Sequence, residues 1–403
     1  MVEPARTMSN STILSVCTNF PTRNRPTLGL FVHRRLSKLS DYGDLRMLVP
    51  QPYFPILRPR PADESLAGTS MPVSIRRMFY LPGVAKDWDG WWLEKVVSRW
   101  ISSMKDLDPG ATILDAHFGY PEGVGCFRVA KRLGIPLFIT ARGLETDLMD
   151  VPAIRKQMLE AFDYCTGVIS VSQSLKDMLV GKGVAASKIR VISNGVDSDI
   201  YSPGDKIESR RKLGVPLDAK LIVSLGTVRR LKGYDLLVEA IAPYRDTPSF
   251  RSVILGGINE PATMASLEAR VAQLGLRNQV SFLGQTTPDL VVQWLRAADA
   301  FVLPTRREGC CNAVLEALSS GVPVITTPAG DNTKFVVDGQ NGFIVPHEDP
   351  KGLHRAIERA WEHPWDPQAI SQSVHQYTWD GTAEKVHLFF QERLGRGSIG
   401  SFI

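Results

Sequence analysis

Short apolar runs and amphipathic helical stretches alternate along most of this chain. In the first half, runs with the length of buried strands lie at residues 12–16, 45–50, 113–117, 137–140, 168–171 and 189–192. A helix is expected to begin near Phe31. In the second half, strands are predicted at 222–225, 253–255, 280–283 and 300–303, with a helix at 234–241. This alternation is typical of parallel sheets covered by helices, so the sequence predicts two consecutive α/β domains with ligands in the cleft between them.

Two stretches interrupt the alternation. Residues 51–72 are rich in proline and arginine and show little periodicity, which predicts a long surface segment. Residues 193–204 combine turn-forming Asn, Gly, Asp, Ser and Pro, which is typical of an exit loop and linker. We therefore expect one domain over residues 1–200 and a second over residues 205–375.

The stretch PTRREGCCNAVLEALSSGVPVITT, at residues 304–327, predicts a loop, a helix that ends at Gly321, and a buried strand at 322–325. The amino terminus of such a helix offers unpaired N–H groups that suit a diphosphate. Glu308 and Glu316 repel phosphate but accept hydrogen bonds from hydroxyls, and Asn312 shares the helix face of Glu316. The combination favours a nucleotide-sugar. On spacing alone, Glu308 is equally well a solvated loop residue, and Glu316 a complement to the helix dipole.

A basic, glycine-bounded loop lies earlier in the second half. The sequence GTVRRLKG runs from Gly226 to Gly233 between a predicted strand and a helix. Lys232 and one of Arg229 or Arg230 are positioned to reach a diphosphate. The loop matches neither a Walker motif nor a dinucleotide-binding fingerprint.

Polar residues also follow two predicted strands of the first half. His117 ends one strand, and Arg142 and Glu145 follow the next. Ligands of open parallel sheets bind beyond the carboxyl ends of strands, which makes these three residues candidates, although a lone histidine is more often structural. Gly29 lies in the loop before the first helix and either lets the backbone approach a ligand or forms a simple turn.

Composition narrows the class of protein. The chain has 403 residues, 43% of them hydrophobic, which suits two cores, and its net charge of +5 favours an anionic small ligand or membrane surface over duplex nucleic acid. Five cysteines without zinc-ligand spacing fit a reducing compartment, and Cys310 and Cys311 are expected to have core or backbone-approach roles rather than to supply a reactive thiol. No apolar run reaches the ~18 residues of a spanning helix, so a cytoplasmic protein is expected.

Tryptophans and basic residues are concentrated at residues 76–105. This segment contains Trp88, Trp91, Trp92 and Trp100 among six lysines and arginines. Such a mixture is typical of a segment that contacts an anionic membrane, or of an acceptor groove. The expected membrane surface is the inner face of the cell membrane. A core helix with basic side chains reaching to solvent is an equally good interpretation.

The runs NGVDSDIYSP, SLGTVRRLKGYDLLVEAI and PTRREGCCNAVLEALSSGVPVITTPAGDNTKFVVDGQNGFIVP resemble glycosyltransferase family 4 in order and spacing over residues 191–346. The E-x7-E element from Glu308 to Glu316 is the most specific part. Weaker similarity includes GLFV, DAHFGYPEG and the Tyr377-Thr378-Trp379 run. The resemblance implies a GT-B fold with two Rossmann-like domains and a C-terminal helix, near residues 381–394, that crosses back to the N-terminal domain.

The resemblance further implies retaining transfer from a nucleotide-diphosphate sugar, with no cofactor and no obligatory metal. Lys232 would hold the diphosphate, Glu308 the donor sugar and Glu316 the ribose, while amides near Val314 and Leu315 would bind phosphate. The expected catalytic residues are Glu308, Lys232, Arg142 and His117. The expected donor-binding residues are Gly29, Gly226, Arg229, Arg230, Lys232, Glu308, Gly309, Cys310, Asn312, Val314, Leu315 and Glu316.

Three positions depart from the family pattern. Thr227 stands where many members have a phosphate-binding Arg, so Arg229 or Arg230 is expected to substitute. Arg142 stands where the family often has His; it cannot act as a base but can pair with phosphate. Lys334 replaces the Glu that usually follows the glycine turn, which alters a sugar contact.

We therefore predict a glycosyltransferase that acts on a saccharide or lipid-linked saccharide in cell-surface or exopolysaccharide assembly. The expected partners are the donor, that acceptor and an anionic membrane surface, and nucleic acid is not expected. Two alternatives remain open at this point. One is a nucleotide-sugar epimerase or a phosphorylase with the same fold, and the other is an inactive nucleotide-sugar-binding partner of another transferase.

Overall fold

The structure is a computed structural model that describes residues 11–55, 63–64 and 71–395. The chain forms two compact units. The first unit extends to Asn194 and resumes at Trp379, and the second is Gly195–Thr378. None of the helices in these described ranges is long and apolar enough to cross a membrane.

The first unit is built on a parallel sheet. Its described strands are β1 (Thr12–Val16), β2 (Asp44–Tyr53), β3 (Val73–Phe79), β4 (Thr112–His117), β5 (Leu137–Ala141), β6 (Gly167–Ser170) and β7 (Ile189–Val191). They lie in the order β3-β2-β1-β4-β5-β6-β7, and every neighbouring pair is parallel. The strand order reverses between β1 and β4, where such sheets bind ligands.

Helices cover this sheet. They are α1 (Leu30–Leu39), α2 (Asp89–Ser102), α3 (Val124–Leu133), α4 (Glu145–Leu148), α5 (Pro152–Tyr164), α6 (Gln173–Gly181) and, from the end of the chain, α15 (Trp379–Arg393). The central strands β4 and β5 are buried along their whole length, and β1 is buried from Ile13 onward, as their apolar runs predict.

Strand β3 was not predicted. It carries the exposed Arg76 and Arg77, and it lies at the edge of the sheet with β2 as its one described neighbour. An edge strand has no need of a continuous apolar run, which removes the signal that revealed the central strands. Strand β2 also continues beyond its predicted end at Pro50 to Tyr53, so the start of the predicted surface segment belongs to the sheet. This part of β2 pairs with β3 but not with β1.

The second unit repeats the architecture. Its described strands are β8 (Lys220–Leu225), β9 (Phe250–Leu255), β10 (Val280–Gly284), β11 (Ala300–Leu303), β12 (Val324–Thr326) and β13 (Gly342–Ile344). They form a parallel sheet in the order β10-β9-β8-β11-β12-β13. The helices are α7 (Lys206–Leu213), α8 (Tyr234–Ala240), α9 (Pro261–Gln273), α10 (Pro288–Ala297), α11 (Asn312–Ser319), α12 (Asn332–Phe335), α13 (Pro350–Glu362) and α14 (Pro367–Gln372). The order reverses between β8 and β11.

The boundary between the units follows from backbone pairing. The amide of Val196 donates to the carbonyl of Tyr377 at 2.8 Å, and Val196 forms a β-bridge with Thr378. These contacts hold residues that follow Asn194 to the end of the second unit, so the predicted linker belongs largely to that unit.

Helix α15 contributes aromatic side chains to the core of the first unit. Phe389 and Phe390 are fully buried, and their ring centroids lie 5.8 and 4.2 Å from that of Phe138 on β5. Gly167 on β6 leaves room for them, since a Cβ atom there would lie 2.8 Å from Phe389 Cζ. Helix α15 is thus an integral part of the first unit.

We expect Phe390→Ala to lower the free energy of unfolding by about 3–5 kcal/mol, because it leaves a cavity under the sheet. Leu388→Ala is the matched control on the same helix, since Leu388 is 52% exposed. Urea unfolding of both variants checks this. Equal losses in the two variants would contradict the packing described.

Candidate functional site

The reversal of strand order in the second unit brings two loops together. Strands β8 and β11 are parallel neighbours, with Ala300 beside Ile222 and Phe301 beside Val223. Lys232 lies in the loop after β8, and Glu308 in the loop after β11. Both predicted residues therefore lie beyond the carboxyl ends of adjacent strands, where open parallel sheets bind ligands.

Gly233 permits the close approach of these loops. Its φ is +70°, and a Cβ atom there would lie 2.0 Å from the carbonyl oxygen of Pro304. No L-side chain fits so short a distance, and the left-handed conformation is itself costly for residues other than glycine. Glycine is therefore required where the β8 loop crosses the end of β11.

Hydrogen bonds then fasten the two loops. Thr305 Oγ1 and the Arg306 amide both donate to the Leu231 carbonyl, at 2.9 and 2.8 Å. The Arg306 guanidinium donates to the Arg230 carbonyl at 2.8 Å and forms a bidentate pair with Asp235 at 2.8 and 2.7 Å. It also pairs with Glu348, with Nε 2.6 Å from Oε1. A bidentate guanidinium with several acceptors fixes both position and orientation.

Within this frame, Lys232 Nζ lies 2.7 Å from Glu308 Oε1. Their side chains are 16% and 12% exposed, so the pair is partly open to solvent. Burial works to lower the pKa of Lys232, but the Glu308 carboxylate, together with the neighbouring Cys311 and Tyr234 side chains, holds the pKa above its usual value. A fixed ammonium beside a carboxylate can bind a phosphate and a hydroxyl at adjacent positions.

Helix α11 follows directly. Asn312 and Glu316 are half-buried on one face of it, and Cys311 is buried in the core with a raised pKa due to burial, which fits its expected core role. The amides of Val314 and Leu315 both donate to the Cys311 carbonyl, at 3.1 and 3.4 Å. They are engaged within the first helical turn, so a phosphate would have to share these donors.

The backbone of Glu308 and Gly309 touches a further loop. Gly330, which follows β12, has a φ of +60°, and a Cβ atom there would lie 3.0 Å from the Gly309 carbonyl oxygen. On the β8 side, Tyr234 donates from its hydroxyl to the Gly226 carbonyl at 2.8 Å. Gly226 therefore lies in the same loop as Lys232 and is held by Tyr234, and Gly309 lies next to Glu308 and is close to Gly330.

Arg229 and Arg230 lie beside a different cavity. They border a cavity of about 320 Å³ with Tyr234, Asp235, Thr263 and Ser266, which neither Lys232 nor Glu308 lines. The Arg230 amide donates to Glu260 at 2.8 Å. The structure does not bring these guanidiniums to the Lys232–Glu308 pair. Thr227 is half-buried, and the ammonium of the exposed Lys334 lies over the Tyr377 ring.

A second cavity, of about 280 Å³, lies at the opposite ends of the same strands. Lys220, Asp299, Trp361 and Trp365 are among its lining residues. Lys220 is the first residue of β8. No predicted site residue borders this cavity, so it is separate from the candidate site.

In the first unit, the predicted residues form a buried cluster. Arg142 Nη2 lies 3.0 Å from His117 Nδ1, and His117 Nε2 lies 3.0 Å from Asp115 Oδ2. Burial lowers the pKa of His117 to about 4, despite the opposing effect of Asp115. Because a guanidinium only donates, Nδ1 of the neutral ring accepts and the ring proton is on Nε2. This fully buried ring holds Arg142, which favours the structural interpretation of His117.

Neighbouring charges complete the cluster. Arg35, also buried, donates to Thr140 Oγ1 at 2.9 Å and lies 3.5 Å from Asp115. Burial lowers the pKa of Arg142 to about 9. Glu145 accepts from the amides of Gly119, Arg142 and Gly143 at 2.8–3.0 Å, so it orders the loops around it.

Gly29 has a local explanation. Its φ is +69°, and a Cβ atom there would lie 2.0 Å from the Asn19 carbonyl oxygen. The loop after β1 and the start of α1 cross at this point, and only glycine allows the crossing.

Glu122 is a buried carboxyl that the sequence reasoning missed. Its Oε1 accepts from the amide and hydroxyl of Thr18, at 2.8 and 2.6 Å. Its Oε2 has no hydrogen-bond partner among the described residues. Burial raises the pKa of Glu122 to about 7, and the nearby Glu145 adds to this. The one signal in the sequence was that Glu122 lies five residues after His117, the last residue of β4.

We expect Gly233→Ala to be more destabilising than Gly275→Ala. Both glycines have φ near +70°, so both variants lose about 1–2 kcal/mol to backbone strain. Only at position 233 does the new methyl group meet a carbonyl, which adds about 1–3 kcal/mol, whereas nothing lies within 4 Å of position 275. Thermal and urea unfolding measure the difference, and equal losses would refute the close approach.

We also expect the stability of the wild type, relative to Glu122→Gln, to fall as pH rises. Between the ordinary pKa of 4.5 and about 7, the folded protein keeps a proton that the unfolded chain releases. The relative free energy of unfolding should decrease by roughly 2 kcal/mol from about pH 5 to about pH 8. Urea titrations at the two pH values test this, and a constant difference would show that Glu122 ionises normally.

Comparison with known proteins identifies the family. The model described as "Glycosyltransferase Family 4" matches residues 56–200, and that described as "Glycosyl transferases group 1" matches residues 205–376. Together they cover most of both units.

Relatives and solved structures agree. The chain is 29% identical over 306 residues to D-inositol 3-phosphate glycosyltransferase of Acidothermus cellulolyticus, covering 70% of this chain and 67% of that protein. It is 28% identical over 381 residues to the putative teichuronic acid biosynthesis glycosyltransferase TuaC of Bacillus subtilis, covering 88% and 91%.

Among solved structures, Anabaena HepE in complex with UDP superposes with a TM-score of 0.74 at 17% identity, over 95% of this chain and 100% of that one. The structural neighbours are GT-B glycosyltransferases. With two parallel sheets that each reverse their strand order, and with family models matching along both units, the chain belongs to glycosyltransferase family 4 and has the GT-B fold.

Proposed function

We propose that this glycosyltransferase moves a hexose from a nucleotide-diphosphate sugar to a saccharide or lipid-linked saccharide, with retention of anomeric configuration. We further propose a role in cell-surface or exopolysaccharide assembly. The observation that carries the proposal is the Lys232–Glu308 pair, 2.7 Å apart and partly open, at the reversal of strand order.

Lys232 supplies the positive charge for the diphosphate. Its raised pKa keeps the ammonium protonated throughout the physiological range. As the sugar leaves, negative charge grows on the terminal phosphate, and a fixed ammonium stabilises that charge more than it stabilises the intact donor. Because the two loops are fastened before the donor arrives, little reorganisation is needed.

Glu308 and Glu316 supply acceptors for hydroxyls. Glu308 lies beside the ammonium, which places sugar hydroxyls next to the phosphate that Lys232 holds. Glu316, one helical turn beyond Asn312, is proposed to accept from the ribose. Arg142, held by His117 and Asn194, offers a buried cation in the first unit that suits an anionic acceptor group.

Two comparisons support the finer parts of the proposal. HepE was solved with UDP, which is the leaving group of a UDP-sugar. TuaC is named as a putative glycosyltransferase of teichuronic acid biosynthesis. The HepE structure motivates the donor class, and the name of TuaC motivates the polysaccharide acceptor. The release of nucleotide described next tests the donor class on this chain.

We expect Lys232→Met and Glu308→Gln each to lower turnover at least ~100-fold, because each removes a group proposed to contact the donor. Each single change also strands one charge, so the double variant should recover stability but not activity. Release of UDP, GDP or ADP from the corresponding sugars measures turnover. Lys212→Ala, which breaks an exposed Lys212–Glu208 pair, is the control and should keep full activity.

The products separate the alternatives. A glycosyltransferase releases nucleoside diphosphate, whereas a phosphorylase releases sugar phosphate, and an inactive partner binds donor without turnover across a broad acceptor panel. Full turnover in Lys232→Met or in Glu308→Gln would reject the assignment of these residues.

A further inference from the structure

The outer side of α2 carries tryptophan where a surface helix usually carries polar residues. Trp88, just before the helix, and Trp91, Lys95 and Arg99 follow one another at spacings of three and four, so they lie on one face. Trp88 is 56% exposed and Trp91 39% exposed, and Lys95 and Arg99 are exposed as well. We call these four residues the aromatic-basic face.

The opposite side of α2 fixes this orientation. Leu93, Val97 and Trp100 are buried against the first unit. Rotation of the helix would expose these residues instead, so the two tryptophans cannot turn inward. The core-helix interpretation of the sequence therefore holds for one side of α2 and leaves the other side unexplained.

Aromatic rings continue from the aromatic-basic face to the sheet edge. The Trp91 and Trp92 centroids lie 4.4 Å apart, and Trp92 lies 4.7 Å from Phe79 on β3. Cations lie over several rings of this region: Lys95 Nζ is 5.0 Å from the Trp91 centroid, and the Arg77 guanidinium carbon is 4.8 Å from that of Tyr53. The rings and cations form a continuous surface.

The two carboxylates of α2 pair with residues outside the aromatic-basic face. Asp89 lies 3.6 Å from Lys86. Glu94 pairs with Arg132 at 2.9 Å and with Arg128 at 3.8 Å, both on α3. By contrast, no carboxylate of the described ranges lies within ion-pair distance of Arg77, Lys95 or Arg99. Lys95 and Arg99, the two cations of the aromatic-basic face, therefore have no ion-pair partner among the described residues.

We propose that the aromatic-basic face docks on the surface of a bilayer rich in anionic lipid. Indole rings favour the level of the headgroups, where one edge meets water and the other meets acyl chains. Lysine and arginine beside them pair with lipid phosphates, and each contributes about fivefold to binding. An anionic membrane is complementary to both the exposed tryptophans and the unpaired cations. This docking goes beyond the sugar transfer proposed above and does not depend on it.

Vesicle sedimentation tests the docking without donor or acceptor. Wild-type protein should sediment with vesicles of phosphatidylglycerol and phosphatidylcholine, and at least tenfold less with phosphatidylcholine alone. Trp88→Ser/Trp91→Ser and, separately, Lys95→Glu/Arg99→Glu should each lower binding to the anionic vesicles at least tenfold. Circular dichroism establishes that both variants are folded.

Arg211→Glu/Lys212→Glu is the matched control. It changes the net charge by the same amount, on exposed residues of α7 in the second unit. This control should bind anionic vesicles within about threefold of the wild type, since screening confines charge effects to the docked face. An equal loss of vesicle binding in the control would show that binding depends only on net charge, and it would overturn the proposal.

Two other outcomes would also overturn it. One is a wild-type protein that does not sediment with anionic vesicles. The other is a wild type that does not bind vesicles but self-associates more strongly than the tryptophan variant, as measured by analytical ultracentrifugation. That result would assign the aromatic-basic face to a second copy of the chain. Because the vesicle experiment contains no sugar donor, a failure to bind vesicles would not affect the proposed sugar transfer. Equally, a failure to transfer sugar would not affect the membrane-docking result.

Discussion

The close approach of the β8 loop to the end of β11 is the constraint on which the candidate site depends. Gly233 allows the Pro304 carbonyl to lie where a side chain would be, and Arg306 then ties the loop through Asp235 and the Arg230 carbonyl. Only with this crossing in place do Lys232 and Glu308, 76 residues apart in sequence, come within 2.7 Å. The site is thus held by backbone geometry and by groups that need not touch the donor.

The two units use ionisable groups differently. In the second unit, the Lys232–Glu308 pair retains some solvent exposure, so a ligand can exchange partners with it. In the first unit, Arg35, Asp115 and His117 are almost wholly buried and bind one another. Buried charges of this kind are costly unless paired, and here their mutual pairing fixes the carboxyl ends of β4 and β5. The second unit therefore keeps a charged pair partly accessible beyond its strands, whereas the first uses its charged groups to hold strands together.

Periodicity predicted the central strands closely because burial on both faces leaves a continuous apolar run, and β1 was placed at its observed bounds. It failed at β3, where the exposed Arg76 and Arg77 lie on an edge. Lys232 and Glu308 were found from loop composition and family resemblance. The Arg306–Asp235 clamp was not, because its partners are 71 residues apart and no local pattern relates them. For Arg229 and Arg230 the limit is different. Loop composition predicted that one of them reaches the diphosphate, whereas the backbone places both beside another cavity.

The packing of Phe389 and Phe390 beneath β5 has a consequence for synthesis of the chain. A ribosome makes the first 194 residues, then the whole of the second unit, and only then α15. The second unit can close its core as soon as it emerges, whereas the first must wait with the surface around Phe138 uncovered. The unit that begins the chain is therefore the last to finish folding, and it is the one that an aggregation-prone or chaperone-bound intermediate would expose.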